Sequence, residues 1–296
     1  MIWCSGWALA SAVSNAGGLG LIGSGSMYPE VLREHIQKCK KATTKPFGVN
    51  VPLLYPDIEK HLDIIVEEGV KIVFTSAGNP AKYTAWLKER GITVVHVIAN
   101  TKFAKKCEEA GVDAIVAEGF EAGGHNGREE TTTLCLVPLI VDTVKIPVIA
   151  AGGIGCGRTM AAAICLGASG VQVGSRFAAS VESSAHDKFK KQIIGAKEGS
   201  TELTLKEITP VRLLKNPFYD AVEAAYAAGA SLEELKTLLG RGRAKKGMFE
   251  GDLESGELEI GQISARLDRI ETAGEIVSQM MSEYHDIAGG NPFFVY

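Results

Sequence analysis

Seven short runs of β-branched and small apolar residues recur along the chain, at 19–23, 47–51, 71–76, 93–98, 114–119, 148–152 and 171–175. Between them lie amphipathic stretches with apolar positions three and four apart, among them 58–68, 81–90, 102–110 and 157–166, each running into a glycine as helix C-termini tend to. Strand, helix, strand at this interval predicts a parallel sheet covered by helices. A closed (β/α)8 barrel needs eight strands, and an open edge leaves backbone groups unpaired. The chain opens on a helical stretch, 6–15, ended by Gly17-Gly18, so the uncounted strand belongs before Met1. The expected fold is an α/β barrel whose first strand is missing from this sequence, through a late start, a shortened chain or another segment in its place. An open doubly wound sheet is the rival.

After Ala179 the pattern changes. A helix is expected at 183–197, then polar helices without a strand over 200–252, including a pair at 221–230 and 232–239 and a basic loop, GRGRAKK, at 240–246. A last helix, 273–285, carries Ile276, Met280 and Met281 at helical spacing and is expected to pack on the barrel wall. This divides the chain into a barrel at 1–198, a small helical lid at 199–256 and a returning segment at 257–296.

Composition narrows the class. With 296 residues, 46% hydrophobic and 22% charged, a single large globular core is affordable. Thirty-one basic against 35 acidic side chains leave a net charge of −4 with no long basic run, so nucleic acid is not an expected partner. Apolar runs such as 146–151 fall far short of the roughly 20 residues that cross a bilayer, and the start has no basic n-region. A cytoplasmic location without membrane contact is expected. The six cysteines show no CxxC spacing, so reduced thiols and no metal site are expected, with Cys156, in a glycine loop, the one thiol placed to face a cofactor.

In parallel barrels chemistry sits at the C-terminal ends of the strands, and the turns after the last two commonly hold a phosphate. Here those turns carry Gly152-Gly153 and Gly174-Ser175, whose bare backbone approaches an anion closely. Asn50, ending its strand, and Gln172, alternating with Gly174, present amides to the same mouth. His125 follows Gly123-Gly124 at another strand end, and an imidazole titrating near neutrality suits a general base or a donor to a developing anion. His35, His61 and His285 read as solvated helix residues, His96 as a satisfied barrel residue, and His186 opens a helix with no evident partner.

At these residues the chain resembles the flavin-dependent family that unites nitronate monooxygenases (2-nitropropane dioxygenases) with type II enoyl-acyl-carrier-protein reductases. The motifs run nearly end to end: Asn15-Ala16-Gly17-Gly18-Leu19-Gly20, Phe47-Gly48-Val49-Asn50, Ala77-Gly78-Asn79-Pro80, Glu121-Ala122-Gly123-Gly124-His125, Ala150-Ala151-Gly152-Gly153-Ile154 and Gln172-Val173-Gly174-Ser175-Arg176-Phe177. The resemblance implies a TIM barrel with a helical lid and one non-covalent FMN. It places Gly152, Gly153, Gly174 and Ser175 at the phosphate, Asn50, Gln172, Gly123 and Gly124 along the cofactor, and His125 at the flavin face as the catalytic residue. Family members begin with a strand ending in glutamine, and this chain starts just after that point; a glutamine common after the catalytic loop is replaced near Pro138-Leu139.

Two activities follow from the resemblance. One is oxidation of alkyl nitronates or nitroalkanes with dioxygen; the other is NAD(P)H-dependent reduction of an enoyl thioester. Residues 48–54 and 75–83 look more like the reductase branch, whereas 203–252 resemble neither closely. Nitronate oxidation is taken as the leading reading, enoyl reduction as its alternative, and a flavin-binding protein without turnover as a third. Arg241, Arg243, Lys245 and Lys246 are weighed as a landing site for acyl carrier protein against a solvated loop, and a homodimer is expected from the barrel class.

Overall fold

The computed structural model describes residues 1–290. In chain order its strands are β1 (Gly20–Gly23), β2 (Phe47–Pro52), β3 (Ile72–Ser76), β4 (Thr93–Ile98), β5 (Ala114–Glu118), β6 (Gly124–His125), β7 (Val148–Ala151), β8 (Gly170–Gln172), β9 (Thr201–Thr204) and β10 (Val211–Leu214). Seven of them form one curled parallel sheet in the order β1-β2-β3-β4-β5-β7-β8. These are the seven runs expected from the sequence, each displaced by no more than a few residues.

Period-two alternation builds two apolar layers. Val49, Val51, Val73, Val94, Ile115 and Ala117 pack outward against helical Leu32, Ile36, Leu62, Ile65, Leu87, Leu136 and Ile140. Phe74, Val95, Val116 and Ala151 fill the inner face. His96, of the outward set, is buried with Nδ1 2.6 Å from Thr75 Oγ1, and burial pushes its pKa down to about 4. It is a satisfied wall residue.

Strands β1 and β8 are the edges of this sheet. The first five residues lie at the seam as a turn rather than a strand. Ser5 N–H donates to the Met1 carbonyl (3.3 Å), the Ser5 carbonyl accepts from Gly23 (2.9 Å), and the Cys4 carbonyl accepts from Ser184 beyond β8 (3.0 Å).

The region after β8 departs from expectation. Residues 200–252 contain β9 and β10, which join β6 in an antiparallel sheet of order β6-β10-β9. The lid is therefore not purely helical. Two four-residue strands are too short for alternation to show, and β10 (VRLL) is buried at every position, so its pattern has no polar phase. Helices follow at Pro217–Ala227 and Leu232–Leu239.

Smaller corrections have local causes. The helix expected at 183–197 shrinks to Asp187–Ile194, with His186 Nδ1 accepting from Lys188 N–H (3.1 Å) as its cap. The stretch 81–90 splits into a 3-10 turn at Pro80–Lys82 and a helix at Thr84–Lys88. His61 is not solvated: its Nε2 meets the Met27 carbonyl at 3.0 Å, it stacks on Tyr55, and burial lowers its pKa. His35 is half-buried, accepting from Trp7 N–H at 3.1 Å. The final helix, Ala273–Gly290, buries Ile276 and Met280 against the helix Gly157–Cys165 and the β7–β8 wall, but leaves Met281 exposed. Among the described residues no helix is long and apolar enough to cross a membrane.

Candidate active site

The C-terminal ends of the parallel strands converge on one mouth. Asn50 lies between outward-packed Val49 and Val51 and so faces inward, and Glu118 follows outward-packed Ala117 in the same sense. Gln172 pairs in register with inward Ala151. Asn50, Gln172 and Glu118 therefore share the inner face, the first two as the sequence reading expects.

The glycine turns divide into two kinds. Gly152 and Gly153 have φ of +95° and +68°, a left-handed backbone that favours glycine. A β-carbon on Gly152 would lie 2.9 Å from the Gly119 carbonyl oxygen and from Thr133 Oγ1, whereas one on Gly174 would meet nothing nearer than the Met1 sulfur at 3.7 Å. Among the described residues the N–H groups of Gly153 and Gly174 find no acceptor within the chain. A free N–H beside side-chain-free space, as at Gly174, suits an anionic group such as a phosphate, whereas a β-carbon on Gly153 would lie 3.4 Å from Glu121 Cβ. Ser175 Oγ accepts from Gly261 N–H (3.0 Å), which leaves its own proton to donate.

Gly123 serves packing. A β-carbon there would sit 2.4 Å from the Ile260 carbonyl carbon and 2.5 Å from Gly261 N, so this glycine lets two main chains touch. Gly124, at φ +74°, pairs with Arg212, and His125 pairs with Val211 in the β6–β10 ladder. The imidazole is exposed on a backbone that is hydrogen-bonded in place. Asn126 N–H donates to the Pro210 carbonyl (2.9 Å), and its amide nitrogen to the Ala122 and Gly124 carbonyls (2.8 and 3.2 Å).

Several residues of this mouth escaped the sequence reading. The Glu121 carboxylate accepts from Thr133 N–H (2.9 and 3.1 Å), and Thr133 Oγ1 lies 2.9 Å from both Glu121 Oε2 and the Gly152 carbonyl oxygen. One junction thus joins the histidine loop, the β7 turn and the start of the helix Thr133–Val141. Glu259 reaches over Gly124, with Oε2 2.6 Å from where a β-carbon would stand. Loss of water raises the carboxyls of Glu118 and Glu259 to about 7, against the pull of the N-terminal ammonium. Glu257 also rises to about 7, through burial and the neighbouring Glu259, with His125 and Arg243 pulling the other way. The signal available was an acid at the end of a strand, in Glu118, and the alternation of Glu257-Leu258-Glu259-Ile260.

Other candidates resolve differently. Cys156 is buried and caps the helix Gly157–Cys165, its sulfur 3.6 Å from Thr159 Oγ1. In the basic loop, Arg243 is spent on the carbonyls of Leu238, Leu239 and Ser255 (2.7–3.0 Å), and Lys245 pairs with Glu250 at 2.9 Å. Arg241 and Lys246 remain exposed.

The nitronate monooxygenase family profile matches residues 1–283. A probable nitronate monooxygenase of Staphylococcus aureus (strain MSSA476) is 32% identical over 94% of this chain and 91% of its own length. A Mycobacterium tuberculosis enzyme, (3aS,4S,5R,7aS)-5-hydroxy-7a-methyl-1-oxo-octahydro-1H-indene-4-carboxyl-CoA dehydrogenase, is 31% identical over 95% of this chain and 90% of its own. Among solved structures, FabK from Thermotoga maritima superposes with a TM-score of 0.93 at 41% identity, covering 100% of this chain and 94% of that one.

Proposed function

Because the chain belongs to the nitronate monooxygenase family, and is an oxidoreductase of that type, we propose that it binds one FMN at the described mouth and oxidises alkyl nitronates there. The observation that supports this reading is that the loop carrying the exposed His125 packs, through Gly123 on Gly261 and Glu121 on Gly153, against the two turns whose N–H groups lack acceptors. When bound, FMN supplies the two-electron redox chemistry, with dioxygen as final acceptor.

The protein's own residues have distinct tasks in this reading. Gly153, Gly174 and Ser175 hold the phosphate through N–H and O–H donors. Asn50 and Gln172 present amides to the ring edge. His125 donates a hydrogen bond to the anionic nitronate and, for a neutral nitroalkane, takes the α-proton. The carboxyls of Glu118, on the inner face, and of Glu259, beside Gly124, are kept from full ionisation at neutral pH by loss of water, which limits negative charge where an anion must enter.

A second reading, NAD(P)H-dependent reduction of an enoyl thioester, is favoured by the full-length structural similarity to FabK, an enoyl-ACP reductase, while a relative named for a carboxyl-CoA substrate favours a thioester. Anaerobic mixing separates the two. Bleaching by propyl nitronate and not by NADH supports the oxidase; rapid bleaching by NADH supports the reductase. His125→Ala is expected to keep its flavin and lose about 10²-fold or more in kcat; undiminished turnover removes the assignment.

A further inference from the structure

The segment between β5 and β6 leads into His125, yet the parallel sheet supports it at only one end. Gly119 N–H donates to the Ala151 carbonyl and Phe120 N–H to the Thr131 carbonyl, both at 2.9 Å. Beyond Phe120 the chain leaves the barrel and turns, with Ala122 N–H on the Gly119 carbonyl at 3.1 Å, to reach Gly124 and His125. That turn is held at its middle by the Glu121 carboxylate on Thr133, by Gln262 N–H on the Glu121 carbonyl (3.0 Å) and by the Asn126 amide; at its two ends it is held from the lid, by one residue.

Arg212 is 1% exposed, and among the described residues it forms no ion pair. Its Nε and Nη2 donate to a single acceptor, the Phe120 carbonyl, at 3.1 and 3.0 Å. The guanidinium lies over the Phe120 ring with 4.4 Å between guanidinium carbon and ring centroid, and Nη1 is 3.4 Å from Thr201 Oγ1. The main chain of the same residue pairs with Gly124. Arg212 therefore grips both ends of the Phe120–Gly124 turn, by side chain at one and by backbone at the other.

Burying a guanidinium without a carboxylate in direct contact is costly, and burial lowers the Arg212 pKa although Glu202, Glu121 and Glu130 lie near enough to pull it the other way. An apolar side chain would fill the space without that cost, but would leave the Phe120 carbonyl without its two charge-assisted donors. The planar fork also sets the orientation of the Phe120–Glu121 peptide, which a lysine's single ammonium does not. We propose that Arg212 is a positioning residue for His125, fixing the turn that aims the imidazole into the mouth. This rests on the reading of His125 as the catalytic group.

The test uses the full-length, FMN-loaded protein with Arg212→Met and Arg212→Lys. Arg212→Met is expected to lose about ten-fold or more in kcat on whichever substrate the wild type turns over, with KM and FMN affinity by fluorescence titration changed by less than about three-fold. The ring resonance of His125 in ¹³C-histidine-labelled protein, assigned by its absence from His125→Ala, is expected to move. Arg212→Lys should show the same changes at smaller size. A Met variant that melts lower but retains its kcat and its His125 resonance would make Arg212 merely structural and overturn the proposal. Should Arg212→Met fail to fold, an unchanged His125 resonance and unchanged kcat in Arg212→Lys overturn it equally. If the wild type turns over neither nitronate nor enoyl thioester, the functional reading falls, while the histidine resonance still decides the role of Arg212.

Discussion

Glu259 shows how much a single side chain at the mouth depends on its surroundings. Its carboxyl, ordinarily near 4.5, rises to about 7 through loss of water, with Glu257 and the N-terminal ammonium as charged neighbours. A carboxyl whose pKa is higher folded than unfolded contributes its full stability below the unfolded value, and that contribution is lost as pH rises through the folded one. Glu259→Gln, which does not titrate, is therefore expected to melt progressively higher than wild type as pH increases from 5 to 8, read as the difference between two apoprotein melting curves. A constant difference across that range would mean the carboxylate is solvated. The alternation around Glu259 hints at a patterned segment but not at this environment, part of which comes from Gly124, far away along the chain. His125 was legible for the opposite reason: its flanking glycines are its sequence neighbours, and they make the turn that displays it.

At the scale of elements, legibility followed local periodicity. The seven parallel strands carry their signal within three to six residues and pair in chain order. Strand β6 is two residues long and exists because β10 pairs with it, so no window of sequence contains its cause. The same applies to Gly123, expected at the cofactor but required where its backbone meets Ile260 and Gly261. Gly123→Ala drives a β-carbon into that main chain and is expected to cost about 1–3 kcal/mol of stability, measured by urea unfolding of the apoprotein. An alanine variant as stable as wild type would show that the two segments part easily.

For the molecule as a whole, the sequence conveyed the barrel class and the inward sense of Asn50 and Gln172, while the mixed composition of the lid and the turn at the seam came from the structure. Ligand binding is the property that reports on the assembled mouth. FMN at about 100 times its dissociation constant is expected to add about 2.7 kcal/mol to folding stability, visible as a rise in melting temperature. Gly174→Val is expected to leave the apoprotein's melting temperature close to wild type, since the protein leaves space at that position, and to abolish the rise on adding FMN. A variant that still gains stability from FMN would move the phosphate elsewhere.

The three-stranded sheet formed by β6, β10 and β9 has a bearing on how this scaffold is re-engineered. Grafting residues 199–256 from a relative to alter substrate choice would also replace the strand against which the histidine is registered, so a chimaera can lose turnover without any substrate contact being wrong. Swaps that retain Val211–Leu214 and exchange the helices beyond it are the ones in which selectivity can be varied independently of the reaction.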